Sequence, residues 1–146
     1  MDTLKVILSE GAKEPTRGTP LAAGLDLYCM QTIYIPAGGK DIVDTGVTIE
    51  LPPDTYGRVA GRSGASYRHH LVVAGGVVDC DYRNTIKIIV FNLGDKSILL
   101  ERGKSIAQLI IERIYTPTVE IVNILSETER KFQKVLDSVH TKPRQF

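Results

Sequence analysis

Short runs of β-favouring residues recur along this chain: Leu4 to Leu8, Thr32 to Ile35, Ile42 to Leu51, Tyr56 to Ala60, Ile86 to Phe91 and Ile106 to Ile114. Between them stand breakers suited to turns, among them Pro36-Ala37-Gly38-Gly39, Pro52-Pro53-Asp54, Arg83-Asn84 and Leu93-Gly94-Asp95. The pattern predicts an all-β domain, a sandwich or a barrel. In the run from Ile86, the side chains of Ile86, Ile88 and Val90 point one way and those of Ile89 and Phe91 the other, with Lys87 the only charge. Both faces are therefore apolar. A small barrel buries only one face of a strand, so the second calls for a tightly packed second sheet or a partner subunit.

The tail reads differently. Phe132, Val135, Leu136 and Val139 recur at helical spacing, and Ser126 with Glu129 forms the pattern of a capping box. A short amphipathic helix and an untethered polar tail are the two readings, since Thr141-Lys142-Pro143-Arg144-Gln145 suits the latter. Residues 1–130 are read as one β domain and 131–146 as a separate tail.

Composition narrows the function classes. Eighteen Lys and Arg against 17 Asp and Glu give a formal charge of +1, so no global field draws the chain to nucleic acid or membrane, and any phosphate recognition must be local. Cys29 and Cys80 lie far apart without metal-ligand spacing, which suggests neither a disulfide framework nor a zinc site. No apolar run approaches the ~18 residues of a membrane span, and Met1 to Glu10 has no secretory signal pattern. The expectation is an intracellular protein, cytoplasmic or nuclear.

Candidate chemistry clusters in a few segments. From Leu71 to Val78 every residue is apolar or glycine, which predicts a buried or ligand-facing backbone that delivers Asp79 at its end. A carboxylate leaving a buried strand is costly unless paired or used. The competing reading makes Asp79 to Asn84 a polar turn. Arg62-Ser63-Gly64-Ala65-Ser66 combines a guanidinium, hydroxyls and a glycine, a composition that cradles phosphate and is also common in surface loops. Asp26, within Ala23 to Tyr28, is either a buried hydrogen-bonding residue or a metal-facing one. Gln108, inside an aliphatic strand, is a network residue or a ligand contact.

Together these segments resemble the trimeric dUTP diphosphatase (dUTPase) family. Four of its five motifs are recognisable in order: Ala23 to Tyr28, Arg62 to Ser66, Gly76 to Asn92 and Gly103 to Ile110. The resemblance spans roughly residues 5 to 130. It implies a distorted jelly-roll β-barrel assembled as a homotrimer with active sites where subunits meet. It also implies hydrolysis of dUTP to dUMP and pyrophosphate with Mg²⁺ on the triphosphate. Carried onto this chain, it makes Asp79 the base that activates water for attack on the α-phosphorus. Tyr82 stacks under the deoxyribose and leaves no room for a 2′-hydroxyl, while the hairpin around Gly76, Val77 and Val78 reads uracil through its backbone. Arg62, Ser63, Gly64, Ala65 and Gln108 serve the phosphates, and Asp26 holds the hydrated metal through water. A dUTP-binding regulatory or inactive protein on the same fold is the alternative.

The chain departs from the family's pattern in four places. Gly61 stands where a proline is usual, which should loosen the following segment. Asn84 replaces a glycine, a mild change if it takes left-handed backbone angles. Lys104-Ser105 replace an acidic residue and an arginine. The fifth motif, a glycine-rich arm that closes over the nucleotide, is missing, and no glycine occurs from Lys131 to Phe146. Loss of that arm is expected to weaken turnover, because closure positions the substrate and excludes water.

Overall fold

A computed structural model describes residues 3–130. Among the described residues, twelve strands and one helix follow in order. They are β1 Lys5–Leu8, β2 Thr16–Arg17, β3 Leu25–Tyr28, β4 Ile33–Ile35, β5 Lys40–Asp44, β6 Val47–Glu50 and β7 Thr55–Gly61, then α1 Ser63–His69. After the helix come β8 Leu71–Ala74, β9 Val77–Val78, β10 Lys87–Asn92, β11 Ile98–Leu100 and β12 Ser105–Arg113. Of the described residues, 3–116 belong to one compact unit and 117–130, which carry no helix or strand, to a second.

All strand pairing is antiparallel. The largest sheet runs β2-β3-β12-β7-β9, a second runs β5-β10-β8, and β1-β6 and β11-β4 form two-stranded pieces. Backbone bonds outside the ladders join these pieces: Ile86 N–H to the Val47 carbonyl at 2.7 Å, Cys29 N–H to Lys104 at 2.9 Å and Asn92 N–H to Gly39 at 2.9 Å. The result is a distorted jelly-roll β-barrel, as the family resemblance implied. Its core takes Leu27, Ile35, Val43, Ile88, Val90, Leu100 and Leu109, the inward set of each alternating strand. Among the described residues no helix is long and apolar enough to cross a membrane. Both cysteines are free thiols, and burial pushes the Cys29 thiol up to about 11.

Several expectations change. The run Ile42 to Leu51 is two strands in different sheets. Thr45, fully buried, donates both its N–H (3.1 Å) and its hydroxyl (2.7 Å) to the Ile86 carbonyl, and Gly46 turns the chain at φ +67° with its N–H on Asp44 Oδ1 at 2.8 Å. Polar satisfaction at the corner overrides the continuous apolar pattern. Arg62 to Ser66, read as a loop, is the N-cap and first turn of α1. Residues 127–130 are not helical, so the capping box is not formed there, and the rest of the expected tail helix lies outside the described residues. Strands β2, β3 and β11 were too short or too mixed in pattern to stand out.

The doubly apolar reading of β10 holds in part. Ile86, Ile88 and Val90 are buried, whereas Ile89 lies exposed beside its exposed register partner Ile42 on the outer face, next to the pairing of Phe91 with exposed Val72. Among the described residues that second face has no cover.

Asn92 closes β10 and is fully buried. Its amide donates to the carbonyls of Ile35 (3.2 Å), Pro36 (3.2 Å) and Lys96 (2.8 Å), and its oxygen accepts the Gly94 N–H at 3.0 Å. Removing the amide takes a donor from each of these buried carbonyls, of which Pro36 keeps the Gly39 N–H at 2.9 Å. Asn92→Ala is expected to cost about 2–4 kcal/mol, seen as a fall of roughly 5–15 °C in a thermal melt followed by circular dichroism.

Candidate functional site

The order β3-β12-β7 brings three separate sequence segments together. Gln108 on β12 faces Asp26 on β3 and Ala60 on β7 across the two ladders. Where β7 ends, Arg62 reaches back over them: its Nε lies 3.5 Å from Asp26 Oδ1, and its Nη1 donates to Ser105 Oγ at 2.8 Å. The Gln108 amide donates to the Gly61 carbonyl at 3.0 Å. Gly24 makes this possible, because a Cβ there would lie 2.7 Å from Gln108 Oε1.

Ser63, Gly64 and Ala65 follow as the first turn of α1. The first helical bond, Ser66 N–H to the Arg62 carbonyl, is 3.0 Å long, and Arg62 supplies no side-chain cap. The N–H groups of that turn therefore have no intrahelical acceptor.

A second group forms at Gly75–Gly76. Both glycines have positive φ, +67° and +92°, and they turn the chain from β8, paired with β10, into β9, paired with β7. The expected hairpin is thus a corner between two sheets. A Cβ on Gly76 would stand 2.5 Å from the Val59 carbonyl oxygen, and the Gly76 carbonyl accepts the Val59 N–H at 2.7 Å. The corner opens a cleft of about 370 Å³ lined by Gly75, Gly76, Val77, Val78, Tyr82, Ile86, Lys87 and Ile89. Tyr82 is held by its hydroxyl, which donates to the Thr85 carbonyl at 2.9 Å, and by its N–H on the Asp79 carbonyl at 3.1 Å.

Several sequence expectations need correction at this corner. Val72 and Val77 are exposed, Val77 at 67%, so the run Leu71 to Val78 is buried only at its ends. Asp79 follows Val78 directly but is itself exposed, and it makes no ion pair or side-chain hydrogen bond among the described residues. Its charge costs little in the single chain. Asn84 does not adopt left-handed angles; among non-glycine residues only Asp54 and His70 do, within the described residues. Gly61 is tied by its pairing with Ala107 and by Gln108, which counters the looseness expected there.

The structure gathers Asp26, Arg62 and Gln108 in one group and Gly76, Val77, Val78 and Tyr82 in another. No hydrogen bond or ion pair joins the two among the described residues. The sequence reading missed Lys87, Ile86 and Ile89 as cleft residues, although Lys87 was visible as the lone charge in its strand. It also missed Ser105 as the partner of Arg62.

The dUTPase family model matches residues 10–138. The chain belongs to the dUTPase family. Among its relatives, the mitochondrial deoxyuridine 5'-triphosphate nucleotidohydrolase of Homo sapiens is 46% identical over 123 residues, 84% of this chain and 49% of that protein. The chain thus spans about half the length of the human relative. The corresponding protein of Paramecium bursaria Chlorella virus 1 is 42% identical, with 84% of this chain and 87% of that one covered. Among solved structures, the Staphylococcus bacteriophage 80alpha dUTPase G164S mutant with dUpNHpp superposes at a TM-score of 0.84 and 28% identity, covering 91% of this chain and 96% of that one. The D95N mutant of the dUTPase from phage phi11, described with a structural Mg(II) ion, gives 0.79 and 26%, covering 84% and 98%.

A third polar group of this member of the dUTPase family lies farther along the same sheet. Glu112 accepts the Tyr56 hydroxyl at 2.7 Å and Arg58 Nε at 2.9 Å. The Tyr56 hydroxyl first, then Arg58, hold the Glu112 carboxyl below its ordinary value of 4.5. A depressed carboxyl adds stability above its unfolded value, and that stability is lost as pH falls through the folded one. Glu112→Gln is therefore expected to lower the urea midpoint at pH 7, with the gap to the parent chain narrowing as pH drops below 4.5.

Proposed function

We propose that the chain hydrolyses dUTP to dUMP and pyrophosphate as a homotrimer whose complete sites draw on neighbouring subunits. The cleft at Gly75–Gly76 carries this reading: it suits a flat base read by backbone groups, and its volume falls in the range of small-molecule sites. Shared sites are supported by the lack, among the described residues, of any hydrogen bond or ion pair between the phosphate-type group and the cleft. The uncovered apolar face of Ile42, Ile89 and Val72 supports assembly.

In this mechanism the Asp79 carboxylate accepts a proton from water as the water oxygen attacks the α-phosphorus. The bond from that phosphorus to its bridging oxygen breaks, and pyrophosphate leaves. Charge on the leaving group is met by Arg62 and by the N–H groups of Ser63, Gly64 and Ala65, with Gln108 orienting the chain of phosphates. Asp26 is the one carboxylate in that group and is engaged by Arg62, and no cage of three His, Cys, Asp or Glu side chains exists among the described residues. Such a donor set fits Mg²⁺ carried in by the triphosphate and touched through water, where it neutralises phosphate charge.

Tyr82 packs under the deoxyribose, its ring direction set by the bond to Thr85. Tyr82→Ala is expected to lower the dUTP-over-UTP ratio of kcat/KM by at least about tenfold, and an unchanged ratio removes the role. Residues 131–146 have no glycine with which to wrap phosphates, so turnover is reduced relative to an arm-bearing enzyme. A truncation after Arg130 that keeps the full rate shows that the tail has no part in closure. The deciding measurement is pyrophosphate release from dUTP with Mg²⁺, with light scattering for the trimer. No release above background overturns the hydrolase, and a monomer overturns the shared site.

A further inference from the structure

We infer that Arg83 is a positioning residue that sets the turn carrying Asp79 and Tyr82, and through it the discrimination of the sugar. The inference rests on the dUTP reading of the cleft. Residues 79–86 connect β9 to β10 without ladder support: β9 pairing ends at Val78, and the next paired residue is Lys87. One backbone bond closes the turn, Tyr82 N–H to the Asp79 carbonyl at 3.1 Å, and Ile86 N–H to Val47 anchors its far end.

The second half of the turn is held by the Tyr82 hydroxyl on the Thr85 carbonyl at 2.9 Å, by the Thr85 hydroxyl, which donates to Asp44 Oδ2 at 3.3 Å, and by Thr45 on the Ile86 carbonyl. The guanidinium of Arg83 serves the first half. Its Nη1 donates to the Cys80 carbonyl at 2.9 Å and to the Tyr82 carbonyl at 3.2 Å, while Nη2 lies 3.7 Å from Glu50 Oε1. Glu50 is on β6, with its other oxygen 3.3 Å from Lys5 Nζ on β1. One planar group thus spans both carbonyls of the turn and ties it to a neighbouring sheet. Both carbonyl bonds come from Nη1, which stands one bond farther from the backbone than a lysine Nζ and on a planar group that lysine lacks.

The ion pair is long and solvent-exposed, so on its own it adds little. The two carbonyl bonds are charge-assisted, that to Cys80 at 2.9 Å being the shorter, and together they hold the curvature of the turn. The turn holds the Tyr82 ring and the Asp79 backbone in one geometry, and small displacements of groups that meet substrate are costly in rate.

The test uses the full chain with Arg83→Ala, Arg83→Lys and Glu50→Gln. Hydrogen exchange followed by mass spectrometry reads residues 79–86, and steady-state rates are taken on dUTP and UTP. Arg83→Ala and Arg83→Lys are expected to speed exchange in 79–86 by at least about tenfold and to cut the dUTP-over-UTP ratio by about tenfold. Glu50→Gln should leave both within about twofold. Parent-like exchange in Arg83→Ala overturns the inference. So does a lowered melting temperature with an unchanged ratio, the mark of a merely structural residue. Should the alanine variant not fold, Arg83→Lys carries both readouts. A parent chain that releases no pyrophosphate from dUTP defeats the functional reading alone, and exchange in 79–86 then still decides the role of Arg83.

Discussion

Asp79→Asn is expected to cut the rate of pyrophosphate release from dUTP by about 10²–10⁴-fold while leaving the fold and the melting temperature unchanged. The two halves of this expectation have separate grounds. Asparagine keeps the size of the side chain but cannot take a proton from water, so the general-base contribution is lost. Stability should not move because the carboxylate is exposed and unpaired among the described residues, leaving no buried partner to strand. The KM for dUTP should change little, since the base acts on water rather than on the nucleotide. Rates on parent and variant, with circular dichroism on both, check the claim. Equal rates would remove Asp79 from the chemistry.

Gly76→Ala should damage fold and function together. A Cβ at this position would stand 2.5 Å from the Val59 carbonyl oxygen, a backbone atom that cannot swing aside, and φ of +92° is strained for any L side chain. Strain and overpacking together are expected to cost about 2–5 kcal/mol, a fall of roughly 5–15 °C in melting temperature. The cleft wall would shift as well, weakening dUTP binding. Gly64→Ala is the control for stability: a Cβ there meets nothing within 4 Å, φ is not positive, and the site is helical. That variant should hold or gain about 0.5–1 kcal/mol. A Gly76→Ala chain as stable as its parent would mean that the corner at Gly75–Gly76 is not as tight as described.

The two glycines also show how much of this protein is legible before folding. The alternation of apolar and polar residues and the spacing of breakers established an all-β domain, most strand positions, the inward set of β10, and the segments that carry the chemistry. Local pattern is enough for these, because strand period and turn chemistry are properties of neighbours in the chain. Asp26 and Gln108 were likewise visible as polar residues in apolar surroundings, and Arg62 by its place in a phosphate-cradling composition, whereas the role of Tyr82 came from the resemblance to the family.

What tertiary structure decided were the relations between segments. A continuous run at 42–51 gave no sign of breaking at Thr45–Gly46, since the break is dictated by a carbonyl on Ile86, far away in sequence. The helical start of Arg62 to Ser66, the pairing of Arg62 with Asp26 and Ser105, and the exposure of Asp79 depend on which strands become neighbours. Asp79 to Asn84 could be read from sequence as a polar turn; only the fold shows Arg83 curling back onto the Cys80 and Tyr82 carbonyls of that turn. Sequence alone thus determined the fold class and the chemical inventory, which follow from local periodicity and side-chain type. The tertiary structure decided which groups meet and which stay apart, because contacts between distant segments are set by sheet order and by the satisfaction of buried polar atoms.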